Sequence, residues 1–169
     1  MSSSKGLGVK ARDLVDMMPP ELGRFLFTRT DYRQQINFDP KGTMAIPDLF
    51  DEYDRAWQAY AVEGDEALAR SFELSQIKSV LEKKRLFLPR FREVAQIVPT
   101  GKAKVESYFA EKKGEPLTKE EKAILDERIK YAEIWLRDYA PKDAKVEVTK
   151  TVSAKARITL PPEFWKELI

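Results

Sequence analysis

The amino-terminal stretch 1–8 contains residue types that can hold a phosphate group. It comprises three serines, a lysine and two glycines: Ser2, Ser3, Ser4, Lys5, Gly6 and Gly8. Hydroxyl and backbone N–H groups donate hydrogen bonds, lysine supplies a positive charge, and glycine lets the backbone approach an anion closely. A flexible serine-rich terminus has the same composition. Composition alone therefore leaves both interpretations open.

A second group of candidate residues is basic. Its eight cations stand against only two glutamates between residues 78 and 104: Lys78, Lys83, Lys84, Arg85, Arg90, Arg92, Lys102 and Lys104. Apolar residues from Phe87 to Val98 recur between them at helical spacing, which predicts a buried apolar face with the arginines facing solvent or a partner. Guanidinium groups suit phosphate, and cations interleaved with aromatic rings suit RNA loops. Ordinary surface helices also carry basic faces.

Four carboxylates form an acidic cluster on a predicted helix at 46–61. They are Asp48, Asp51, Glu52 and Asp54. Paired carboxylates can bind magnesium or serve as acid and base. These four lie opposite the apolar stripe of the helix, which predicts a solvated face with Arg55 nearby. The aromatic residues of that stripe indicate core packing, with base stacking as the alternative.

The order of residues in the opening stretch resembles a known motif. Ser-Ser-Ser-Lys-Gly at 2–6, an Arg-Asp-Leu helix at 12–14 and Pro-Pro-Glu at 19–21 resemble the KMSKS loop and the segment after it in class I aminoacyl-tRNA synthetases. The lysyl-tRNA synthetases of this class have the motif KMSSSKG. Here its leading lysine would precede Met1. Ser3 stands where most class I enzymes have the second lysine, so Lys5 is the nearest remaining cation.

The resemblance extends beyond the motif. Asp39-Pro40 and the segments 49–55 and 72–75 are similar to the same family. The likeness is specific to about Arg55, looser to Pro99 and weak beyond that residue.

This resemblance implies a role for the opening residues. Ser2, Ser3, Ser4 and Lys5 would line the ATP phosphates, and Lys5 would be the catalytic residue that stabilises charge as pyrophosphate leaves. The intact enzyme would use ATP and Mg²⁺ to form lysyl-adenylate, then transfer lysine to tRNA. The nucleotide-binding sheet and the HIGH motif would precede Met1. The chain alone is therefore expected to hold no cofactor and not to aminoacylate.

Composition excludes several classes of site. The 169 residues include no cysteine and no histidine, so zinc, disulfides and imidazole catalysis are not expected. Thirty basic and 28 acidic residues give a net charge of +2, which argues against a histone-like DNA binder and leaves room for a local basic face. No apolar run has the length of a membrane span. A cytoplasmic protein with neither a membrane nor a DNA partner is expected.

Apolar periodicity predicts a mainly α fold with little β structure. The predicted helices cover 10–18, 20–29, 46–61, 65–81, 87–98, 101–113 and 118–140. Thr118 and Glu121 form a capping-box pattern, Gly114 ends the preceding helix, and Pro141 ends the last one. In the helix at 101–113, the pattern predicts that Tyr108 points inward with its apolar neighbours.

The predicted organisation has three parts. A KMSKS-like loop remnant at 1–8 precedes a stem-contact-like helical region at 9–63 and an anticodon-binding-type helical bundle at 64–169. The short final helix at 161–169 is marginal alone, which suggests that the natural chain continues. The function predicted is the tRNA-binding portion of a class I lysine–tRNA ligase, with tRNA and the missing catalytic domain as partners. The alternatives are a stand-alone helical RNA-binding or adaptor protein, and a helical interaction module without an RNA role.

Overall fold

The structure is a computed structural model that describes residues 11–31, 33–62, 64–77 and 83–145. The predicted phosphate-binding residues Ser2, Ser3, Ser4 and Lys5, the basic residue Lys78 and the predicted final helix lie outside these ranges.

The described part of the chain is built from helices. Their bounds are α1 Ala11–Met17, α2 Pro20–Thr28, α3 Ala45–Ala61, α4 Glu66–Ser75, α5 Phe91–Ile97, α6 Lys102–Lys113 and α7 Lys119–Ile134. A π-helical turn at Trp135–Tyr139 continues α7. The described ranges contain no strand, which confirms the mainly α fold. None of their helices has the length and apolar character needed to cross a membrane.

Individual residues set several helix ends, as their types predict. Pro20 is the first residue of α2, where its missing N–H costs nothing. The Asp65 carboxylate caps α4 by accepting the backbone N–H groups of Ala67 and Leu68 at 2.9 and 3.1 Å. Gly114 ends α6 with a φ of +83°, a left-handed conformation that glycine adopts without strain. These ends fix the lengths of the helices that carry the candidate site.

Helices α2, α3 and α4 pack through an aromatic core. Phe25 of α2 meets Tyr53 of α3 edge to face, with ring centroids 5.3 Å apart. Phe72 of α4 lies 5.2 Å from the same tyrosine ring. Both phenylalanines are completely buried, so α4 packs on α2 and α3 although it follows Gly64 in the chain. The α3 stripe that contains Tyr53 is therefore core, and not a stacking platform for bases.

The second half of the chain joins this core through one stacked pair of rings. Phe91 begins α5 and lies parallel to Phe50 of α3, with centroids 4.0 Å apart. Trp135, just after α7, meets Phe91 edge to face at 6.2 Å. All three rings are buried, and α5 packs against both α3 and α7. The stack therefore holds α5 between the two longest helices.

Three local predictions are wrong. The helix predicted at 65–81 ends at Ser75. The helix predicted to begin at 87 begins at Phe91, because the residue before Pro89 is disfavoured in helical conformation. Tyr108 is 40% exposed instead of buried. The side of α6 that faces the core is narrow and buries only Val105 and Phe109.

Candidate nucleic-acid interface

The acidic cluster of α3 is a docking surface for arginines from other parts of the chain. Asp48 and Asp51 face the arginines that flank the start of α5, and Asp54 faces an arginine of α7. The prediction of a solvated carboxylate face is therefore wrong, since only Asp48 of these three aspartates is classed as exposed. Within the described residues, no group of three or more potential ligands could hold a metal ion.

Arg90 and Arg92 share one carboxylate. Arg90 donates from Nε and Nη2 to the two oxygens of Asp51, at 3.2 and 2.9 Å. Arg92 donates from Nε to Asp51 at 2.9 Å and from Nη2 to Asp48. Burial by itself raises the pKa of Asp51, but the hydrogen bonds from the two arginines outweigh it, so this pKa is lowered. Two of the three arginines predicted to contact RNA, Arg90 and Arg92, are therefore engaged with carboxylates of the same chain.

Arg128 of α7 makes the most buried ion pair of the described residues. Its side chain is 3% exposed and its Nη1 donates to Asp54 Oδ2 at 2.8 Å, while Nη2 donates to Oδ1. Nη1 also donates to the Pro89 carbonyl, and the guanidinium carbon lies 6.0 Å from the centroid of the Phe50 ring. One side chain thus connects α3, α7 and the segment that leads into α5. Periodicity did not identify it, because charged residues are normally placed on the solvent side of a helix.

Two of the predicted RNA-binding lysines are paired at the surface. Lys84 contacts Glu120 and Lys102 contacts Asp126, each at 2.8 Å. The four side chains are more than half exposed, and pairs of this kind contribute only about 0–1 kcal/mol. A phosphate could therefore replace either carboxylate at small cost.

The remaining cations of the predicted set that the structure describes face solvent. Arg85 and Lys104 are exposed, and neither makes an ion pair with a carboxylate of the described residues. Lys83 is also exposed, and its ammonium lies 5.5 Å from the centroid of the Tyr60 ring. Of the described cations in the predicted set, these three are the ones without a carboxylate partner.

The Glu121 carboxylate positions the basic segment, residues 83–87, on the helical bundle. Its Oε2 accepts the Thr118 backbone N–H at 2.8 Å and the Lys113 ammonium at 2.7 Å. Its Oε1 accepts the Phe87 backbone N–H at 3.0 Å. The predicted capping box is therefore present, and the same carboxylate also anchors the extended chain that carries Lys84 and Arg85. The capping pattern revealed the first role, but no local signal revealed the second.

The pKa of Glu121 yields a testable pH dependence. Burial raises it, but hydrogen bonds from Lys113 and from two backbone N–H groups lower it from 4.5 to about 2. Its stabilisation is therefore complete above pH 4.5 and is lost as the pH falls from 4.5 towards 2. We expect Glu121→Gln to lower the free energy of unfolding at pH 7 by about 1–2 kcal/mol, after allowance for solvent screening at Lys113. Urea unfolding between pH 2 and 7 measures this dependence.

Glu120→Gln is the matched control, because Glu120 is exposed and its ion pair among the described residues is the surface pair with Lys84. It should change stability by less than about 0.5 kcal/mol. Equal effects of the two substitutions would contradict the role assigned to Glu121. So would a loss of unfolding free energy below pH 4.5 that is as large in Glu121→Gln as in the wild type.

Comparison with known proteins finds sequences similar to this chain. Residues 1–78 match the family described as tRNA synthetases class I (K). The lysine–tRNA ligase of Thermoplasma volcanium is 32% identical over 163 residues, which cover 94% of this chain and 30% of the relative. The enzyme of that name from Archaeoglobus fulgidus is 29% identical over 92% of the chain, and that of Pyrococcus furiosus is 32% identical over 88%.

These matches support the resemblance of this chain to the class I lysyl-tRNA synthetase family.

The family match includes α1–α4, which lie within residues 1–78. The alignments to lysine–tRNA ligases continue into α5–α7, since they cover about nine tenths of the chain. The likeness therefore extends well beyond the motifs that suggested it. The chain spans about 30% of the length of the curated relatives that it matches.

Proposed function

We propose that the chain is the tRNA-binding portion of a class I lysine–tRNA ligase, with a stem-contact region followed by part of an anticodon-binding domain. The observation that carries this proposal is the alignment of 94% of the chain with about 30% of a lysine–tRNA ligase. In the intact enzyme, lysine and ATP would form lysyl-adenylate, and lysine would then pass to tRNA. The partners would be tRNA and the catalytic part of the same enzyme.

The ligase chemistry rests on the resemblance of the opening residues. Ser2, Ser3, Ser4 and Lys5 would line the phosphates of ATP, which would bind with Mg²⁺. Among the described residues, no cluster of three or more potential ligands could bind that metal. We propose that this chain by itself does not form lysyl-adenylate. An assay of lysine-dependent ATP–pyrophosphate exchange tests this, and exchange above the enzyme-free rate would contradict it.

The tRNA contact is assigned first to the cations without carboxylate partners. Arg85 and Lys104 can each bind a phosphate without breaking an ion pair to any of the described residues. A phosphate at Arg90 or Arg92 would compete with Asp48 and Asp51, which already accept their N–H groups. Charge reversal at Arg90 or Arg92 would also break the contact between α3 and α5, so it does not isolate RNA binding.

We expect the affinity for a lysine tRNA to fall steeply with salt, because each phosphate contact releases counterions. The logarithm of Kd should rise with the logarithm of salt concentration by about 0.7–0.9 for each contact. Arg85→Glu with Lys104→Glu should therefore lower that slope by about 1.4–1.8 and weaken binding at low salt by at least about tenfold. Fluorescence anisotropy of labelled tRNA between about 50 and 200 mM salt measures both.

The control changes the net charge equally at another place. Lys130 and Arg70 are exposed residues outside both the basic residues 78–104 and the proposed stem-contact region, and Lys130→Glu with Arg70→Glu should leave most of the affinity. An equal loss of affinity in both double variants would show that tRNA binding depends on the net charge of the protein and not on the positions of Arg85 and Lys104. A wild-type curve that is flat in salt, or no binding at low salt, would contradict the proposed function.

A further inference from the structure

The outer face of α6 combines an exposed aromatic ring with a lysine. Tyr108 is 40% exposed, and Lys104 lies one helical turn before it and is also exposed. Residues four positions apart on a helix are neighbours on its surface. The residues of α6 that contact the core, Val105 and Phe109, lie on the adjoining side of the helix. Tyr108 and Lys104 therefore lie side by side on a surface that the described residues leave open.

Lys104 differs from the other lysines of α6. Lys102 pairs with Asp126, Lys112 with Glu93, and Lys113 with Glu121. Lys104 makes no ion pair with any carboxylate of the described residues, so its charge is available to an anion. Its position beside the tyrosine brings a cation next to a flat ring.

The ring of Tyr108 packs against the ring of a buried residue. It meets Phe109 edge to face, with centroids 5.1 Å apart and planes at 85°. Phe109 is completely buried, and its ring centroid lies 6.4 Å from that of Phe87. A tyrosine has two side-chain torsions, and a supported ring loses little conformational entropy when a partner binds. Arg85 lies only two residues before Phe87, so the basic segment passes beside α6.

We propose that Tyr108 and Lys104 form a binding site for an unpaired nucleotide of RNA, whose base stacks on the Tyr108 ring while its phosphate contacts Lys104. This inference rests on the proposed function and names the part of the RNA that meets this face. Base–aromatic stacking contributes about 1–3 kcal/mol for each base, which corresponds to about 5–150-fold in affinity. A fully paired helix keeps its bases within the stack and cannot use the ring.

Glu111 carries a negative charge that opposes an RNA on this face of α6. It lies three residues after Tyr108 and is exposed, so its carboxylate would be near the nucleotide. Glu111→Gln should therefore strengthen RNA binding, by about two- to fivefold. That direction separates a nucleic-acid ligand from a basic protein partner, which would bind more weakly to this variant.

The experiment compares two RNA probes of equal length, a hairpin with an unpaired loop and a fully paired duplex. Tyr108→Ala should weaken hairpin binding by at least about fivefold without changing the salt slope, and Tyr108→Phe should retain most of the affinity. Lys104→Ala should lower the salt slope by about 0.7–0.9. Phe27→Ala is the matched control, because Phe27 is a 55% exposed ring on α2 and its loss should leave the ratio of hairpin affinity to duplex affinity unchanged.

The outcomes separate this inference from the proposed function. If wild type binds tRNA in a salt-dependent way but Tyr108→Ala binds the hairpin unchanged, the stacking site is wrong and the proposed function stands. A similar loss on hairpin and duplex would also overturn the site, because the ring would then serve the protein and not an unpaired base. If wild type binds no RNA at low salt, both proposals fail.

Discussion

Replacing Arg128 with methionine is expected to lower the free energy of unfolding by about 3–5 kcal/mol. Methionine fills a similar volume but leaves the Asp54 carboxylate, whose side chain is 13% exposed, without its partner. It also removes the donor to the Pro89 carbonyl at the entry to α5. An uncompensated buried charge costs more than the ion pair contributes. Urea or thermal unfolding followed by circular dichroism measures the change.

A double-mutant cycle separates the charge from the packing. Arg128→Met with Asp54→Leu replaces the pair with apolar side chains, and should recover a large part of the stability lost in Arg128→Met. Arg70→Met is the control at an exposed arginine, whose side chain is 64% exposed, and should cost less than about 0.5 kcal/mol. Additive losses at Arg128 and Asp54 would contradict the coupling of these two residues.

Truncating Phe91 to alanine is expected to cost about 3–5 kcal/mol. The ring is completely buried and stacks on Phe50 with centroids 4.0 Å apart. Its loss leaves a cavity between α3, α5 and the turn that contains Trp135. The same unfolding measurements apply, and Phe91→Leu should cost clearly less because it fills part of that cavity.

Phe27→Ala is the comparison for Phe91→Ala, since Phe27 is an exposed phenylalanine of a helix. It should change the free energy of unfolding by less than about 1 kcal/mol. If Phe91→Ala were as mild as Phe27→Ala, α5 would not depend on the stack, and the assignment of Phe91 as the contact between the two halves would be wrong.

The four ion pairs between arginines and the aspartates of α3 bear on where RNA can bind. They bring cations from α5 and α7 onto one face of α3, so the positive charge of Arg90, Arg92 and Arg128 is largely balanced within the protein. Lys83, Arg85 and Lys104 have no carboxylate partner among the described residues, and the surface that carries them comprises the segment before α5 and one side of α6. If that surface binds RNA, the role of the arginines is to hold α5 and α7 in the position that presents it.

Local sequence patterns predicted much of the fold. The Thr118 capping box, the left-handed Gly114 and the proline that begins α2 all lie where their types indicated. Each of these signals acts within one or two helical turns, so it can be recognised in a short stretch. The likeness to class I synthetases also came from short motifs, and the comparisons support that family.

The positions of the charges could not be predicted in the same way. Arg92 lies 44 residues from Asp48, and Arg128 lies 74 residues from Asp54. Periodicity identifies which side of a helix is apolar, but not which partner meets its polar edge. The exposure of Tyr108 could not be predicted either, because it depends on how many residues of α6 contact the core.

The sequence by itself determined the helical class, most helix ends and the synthetase resemblance, because these depend on residues that are close together in the chain. Only the tertiary structure decided which predicted RNA-binding cations are neutralised and which face solvent. That outcome depends on how α3, α5 and α7 align across their packed faces. Their alignment follows from side-chain contacts such as Phe50 with Phe91, which join residues far apart in the sequence.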